Sequence, residues 1–153
     1  MKAKIKYLCL LLIAIFVLAG CGKKQDDTVA PELKEQLVNQ GEQSLRGLYD
    51  IDDIVLTQTI EDAKANGQTV LAAGLENFRD TKAEVGALLS IDRTEVSKSD
   101  KNYVIKVEYS GEHRKSELTI GFDEKMTQIT LLSVVPKYTV AENLGKAALN
   151  TVL

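Results

Sequence analysis

The hydrophobic pattern changes period near residue 88, and that change limits this chain to few architectures. Before it, apolar residues recur at helical intervals; after it, they alternate. Leu33, Leu37, Leu45 and Leu48 mark one helix face, with Pro31 suited to the first turn. Gly41 interrupts that stretch and weakens the case for one unbroken helix. Asp50 to Asp53 offer N-cap residues for a second short helix through Ile54, Val55 and Ile60, ending near Asn66-Gly67. Leu71, Leu75, Phe78 and Val85 form the stripe of a third, with Gly74 and Gly86 as small spots for close packing.

From Leu89 the side chains alternate. Leu89 and Ile91 open a strand ending at Thr94-Glu95-Val96, and Ser99 to Asn102 form a turn. Tyr103, Ile105, Val107 and Tyr109 make one apolar strand face. Leu118, Ile120 and Phe122 make another, between turns at Ser110-Gly111-Glu112 and Asp123-Glu124-Lys125. The last strand, from Ile129 to Val135, has apolar residues on both alternations, so burial of both its faces is expected until Pro136 stops it. Thr139 to Leu153 suit a final helix. Helices followed by consecutive short-linked strands predict an α+β fold: N-terminal helices, a four-stranded antiparallel sheet and a C-terminal helix, in a two-layer, cystatin-like arrangement.

Ahead of this domain, Lys2, Lys4 and Lys6 precede an uncharged run, Tyr7 to Gly20. Fourteen residues fall short of the roughly 20 needed to span a bilayer and suit a signal-peptide core. The run ends Leu18-Ala19-Gly20-Cys21, which resembles the L-[AS]-[GA]-C box of bacterial lipoproteins. The resemblance implies cleavage between Gly20 and Cys21 and a diacylglycerol on the Cys21 thiol, anchoring the protein outside the cell membrane. Removal of residues 1–20 leaves 133 residues and takes away three lysines and no acid, so the formal charge goes from −3 to −6. Of the two cysteines, Cys9 leaves with the signal and Cys21 carries lipid, so the fold is expected to form without a disulfide. The expected organisation is a signal over 1–20, a lipidated tether over 21–30, an extracytoplasmic α+β domain over 31–136, and a C-terminal helix over 137–153.

Chemistry is scarce. His113 is the single histidine, beside Arg114 and Lys115 near a hairpin turn, with no orienting carboxylate evident from spacing. The adjacent acids Asp52-Asp53 and Asp123-Glu124 suit capping and turns. No nucleophile motif, phosphate loop or metal-ligand spacing occurs in the mature chain. No catalytic residue, metal or cofactor is therefore assigned. The acidic balance and 5% aromatic content argue against nucleic acid as a partner. A pocket, if present, is expected around Tyr103, Tyr109 and Phe122, where the sheet curves over its helices.

The C-terminal run is nearly uncharged: Val135-Pro136-Lys137-Tyr138-Thr139-Val140-Ala141-Glu142-Asn143-Leu144-Gly145-Lys146-Ala147-Ala148-Leu149-Asn150-Thr151-Val152-Leu153. It resembles the stretch before the transmembrane helix in lipoprotein-like gamma subunits of sodium-pump decarboxylases, the small-subunit family of oxaloacetate decarboxylase and its biotin-dependent relatives. Leu75 to Lys82 with Glu84, Val85 and Gly86 also resembles a helix of their outer domain. The resemblance implies a non-catalytic accessory domain for assembly or stabilisation of a sodium-exporting complex, with membrane decarboxylase subunits as partners. The family's transmembrane helix and tail do not follow Leu153, so a fragment or a shortened lipoprotein is expected and no sodium-binding residue carries over. The alternative is a stand-alone cell-envelope lipoprotein that binds a small ligand or peptide.

Replacing the anchor thiol tests the first part. Cys21→Ser should abolish incorporation of labelled palmitate and move the protein from the membrane to the soluble fraction; undiminished labelling would overturn the assignment.

Overall fold

The computed structural model describes residues 29–138. The lipobox, the tether through Thr28 and the expected helix over 139–153 lie outside them. Three helices precede a four-stranded antiparallel sheet: α1 (Pro31–Asp50), α2 (Asp53–Ala65), α3 (Thr69–Val85), β1 (Leu88–Ser99), β2 (Asn102–Gly111), β3 (Lys115–Asp123) and β4 (Ile129–Pro136). The strands lie in sequence order, β1-β2-β3-β4, so each pairs with its chain neighbour. The α+β expectation holds.

Local chemistry sets the helix ends. Pro31 opens α1, where its missing N–H costs nothing. Asp52 caps α2, its carboxylate accepting from the Ile54 N–H at 2.8 Å. At the other end Gly67 takes a φ of +71°; its N–H donates to the Lys64 carbonyl and that of Gln68 to the Ala63 carbonyl, a Schellman stop. Gly41 does not break α1. A Cβ there would lie 2.6 Å from Ile105 Cγ2, so the residue that weakens the helix locally lets it settle onto β2.

One face of the sheet carries the core. Ile105, Val107 and Tyr109 of β2 and Leu118, Ile120 and Phe122 of β3 are buried beneath α1 and α3. Leu37, Leu45 and Leu48 descend from α1, and Leu71, Leu75, Phe78 and Val85 from α3. Each such side chain contributes about 1.5–3 kcal/mol of burial. Helix α2 adds Leu56, Ile60 and Ala63 while Ile54 stays 73% exposed, so the face of α2 follows the Leu56–Ile60 pair. In the β3–β4 turn Asp123 accepts from the N–H groups of Thr127 and Gln128 at 2.7 and 2.8 Å, and Met126, at φ +54°, plugs the core.

Strand β4 departs from the expected burial on both faces. Val134 is buried and Leu132 half-buried, but Leu131 is 42% and Val135 56% exposed. Helices cover one face only, and β4 is an edge strand. An irregularity opposite Gly121/Phe122 lets Ile129 and Leu132 share the inner side, leaving Leu131 and Val135 outside. Helix α3 partly covers this edge, since the Val134 N–H donates to Asn77 Oδ1 at 2.6 Å. Strand β1 is also longer than its sequence pattern, running to Ser99 through cross-strand partners on β2.

Two glycines on the helices behave oppositely. A Cβ on Gly74 would lie 2.5 Å from Leu132 Cβ, whereas one on Gly47 would meet nothing within 4 Å. In urea denaturation Gly74→Ala should lose about 1–3 kcal/mol through overpacking. Gly47→Ala should gain up to about 1 kcal/mol from helix propensity. Equal effects would contradict the close seat of α3 on β4.

Candidate functional site

The roof over the sheet is not continuous. Helix α1 rests on β2, where Gly41 meets Ile105 and Val107, and α3 rests on β4, where Gly74 meets Leu132. Between these seats β3 is covered from the sides. The helices converge near the end of α1, where Tyr49 packs edge-on against Phe78 of α3 at 5.3 Å and Tyr109 of β2 at 5.9 Å. Beside that contact, towards Leu71 and Leu75 of α3, they leave a cavity of about 280 Å³.

Its floor is Ile120 of β3 with Ile129 and Leu132 of β4; its walls are Leu48 of α1 and Leu71 and Leu75 of α3. Gln43, Ser44, Arg46, Gly47 and Asp50, all from α1, form the polar rim. The interior is aliphatic. The volume is just below the range of drug-sized sites, about 300–1,000 Å³, and suits one small ligand or one large side chain.

The residues expected to make a pocket lie elsewhere. Tyr109 and Phe122 are 1% exposed and belong to the core; Tyr103 is half-buried, with Lys98 Nζ 5.6 Å from its ring centre. All three share the inner sheet face, as their alternation implied, and none lines the α1–α3 cavity. Gly20 and Cys21 lie outside the described residues. His113 is exposed in the β2–β3 turn, its backbone N–H donating to the Val85 carbonyl at 3.0 Å. The rim residues escaped sequence reading because only the small Gly47 hints at an opening on α1.

Polar clusters sit away from the cavity. At the far end of α3, Glu84 Oε1 accepts from the Tyr138 hydroxyl at 2.7 Å and lies 3.4 Å from Arg114 Nε, while the Arg114 guanidinium stacks 4.5 Å from the Tyr138 ring. This ties the β2–β3 turn to the chain leaving β4. On β1, hydrogen bonds from Ser110 and then Ser90 hold the Asp92 carboxyl below its ordinary range. On the outer sheet face Glu108 stands opposite Glu117, and Lys137 Nζ reaches both, at 2.7 and 3.6 Å. The bond to Lys137 lowers the Glu108 pKa. Each cluster joins neighbouring elements, and none lines the α1–α3 cavity. Among the described residues no group of three or more His, Cys, Asp or Glu side chains is placed to hold a metal ion. No helix among them is long and apolar enough to cross a membrane. No family model, curated protein or solved structure matches this chain.

Tyr49, where α1, α3 and the sheet converge, has a titration consequence. Burial, and then the neighbouring Tyr109 phenol, push its pKa well above the ordinary value of 10.0. A pKa raised on folding contributes stability that is complete below the unfolded value and lost as pH rises past it. Unfolding free energy should therefore decline above about pH 10, with Tyr49 ionising only as the chain opens. Tyr49→Phe should flatten that decline. An unchanged alkaline slope in the variant would place the raised phenol elsewhere.

Proposed function

We propose that this protein is a lipid-anchored, non-catalytic binding domain on the outer face of a bacterial cell membrane, with the α1–α3 cavity as its site for a small ligand or peptide side chain. The observation that carries the binding role is the cavity itself: six aliphatic side chains enclose it, and its polar groups all stand on one helix at the rim. The anchor rests on the Leu18-Ala19-Gly20-Cys21 box. The polar clusters support a non-catalytic reading, because their partners are structural neighbours.

A direct test uses the full chain with Cys21→Ser and benzene as probe. Benzene should shift the methyl resonances of Leu71, Leu75, Ile120 and Leu132 in a saturable way. Gly47→Leu, whose side chain points into open space, should block that response while the melting temperature is retained. Methyl resonances unmoved in the unsubstituted cavity would overturn the binding role.

The 135–153 string favours a second reading, an accessory domain of a gamma-type decarboxylase subunit. Biotin-containing decarboxylase subunits should then co-purify with the membrane-extracted full chain from its native cells. Their absence from that preparation would remove the reading and leave the binding role untouched.

A further inference from the structure

The rim of the α1–α3 cavity carries one cation and one anion. Arg46 and Asp50 are one helical turn apart on α1, both exposed and both lining the opening. Among the described residues neither is joined to a partner by an ion pair or side-chain hydrogen bond. Their order explains why they do not pair with each other. A base four residues before an acid is the weaker arrangement on a helix. Asp50 is also the last residue of α1, where the orphan carbonyls already concentrate negative charge. The carboxylate and the helix end together favour a positive group brought from outside. Arg46 offers a planar donor fork suited to a carboxylate.

An aliphatic interior beneath two opposite, unengaged charges describes a ligand with an apolar body and a zwitterionic head. We infer that the cavity takes a free amino acid with a large aliphatic or aromatic side chain. The side chain enters between Leu48, Leu71 and Leu75, the carboxylate meets Arg46, and the ammonium meets Asp50 and the end of α1. The volume of about 280 Å³ is large enough for one such side chain. This deepens the binding role proposed above and rests on it.

The test compares leucine with its two single-charge analogues, 4-methylpentanoate and 3-methylbutylamine, on the full chain with Cys21→Ser, using benzene to report the cavity. Leucine should bind roughly tenfold more tightly than either analogue, as loss of one charge-assisted hydrogen bond implies. Arg46→Gln should erase the advantage over the amine, and Asp50→Asn the advantage over the acid, with benzene binding unchanged in both variants. Should the analogues match leucine, or the variants keep the preference, while benzene still enters, the amino-acid assignment falls and the binding role stands. Should neither benzene nor leucine enter the unsubstituted cavity, both fall.

Discussion

Two close contacts between glycine and sheet govern the shape of the whole domain. Gly41 brings the α1 backbone down onto Ile105 and Val107, and Gly74 brings α3 down onto Leu132. A side chain at either position would lift its helix from the sheet. Helix α1 lies over β1 and β2, and α3 lies over β4. Tyr49 of α1 reaches Phe78 of α3. Elsewhere the space above Ile120 of β3 stays open. The cavity is the product of these two seats, and it persists because the side chains around it are held by elements that pack elsewhere.

The two sides of the sheet divide the work. The inner side holds the core and the cavity. The outer side is laced by polar groups: Lys137 reconciles the facing carboxylates of Glu108 and Glu117, and Arg93 pairs with Glu95. Such exposed pairs add little stability individually. The hairpin ends are closed by side chains that cap their own backbone, as Asp123 does with Thr127 and Gln128. The cavity lies on the inner side, between helices and sheet.

Much of the fold was legible residue by residue. The stripes Leu37-Leu45-Leu48 and Leu71-Leu75-Phe78-Val85 are buried as their spacing implied, with Leu33 half-buried at the start of the first, and Asp52 caps α2 where an acid belongs. The alternations of β2 and β3 point inward as read. Other features resisted reading for stated physical reasons. Ile54 and Leu89 look like core residues, but each falls just outside the covered area. Leu131 and Val135 alternate correctly yet face solvent, because only one side of the sheet is roofed. Tyr103, Tyr109 and Phe122 share a face, yet shared orientation does not say whether helices will fill the space above them. They were filled over; the opening formed above Ile120 of β3 and Ile129 and Leu132 of β4.

What the sequence determined by itself is local: the helical and alternating periods, the caps and turns, and the α+β order. Those depend on residues close together in the chain, whose spacing is their geometry. What only the tertiary structure decided is the cavity, its rim of Arg46 and Asp50, and the exposure of β4. These depend on where two glycines allow two helices to land on distant strands. That distance is set by packing across the sheet, and no spacing along the chain encodes it.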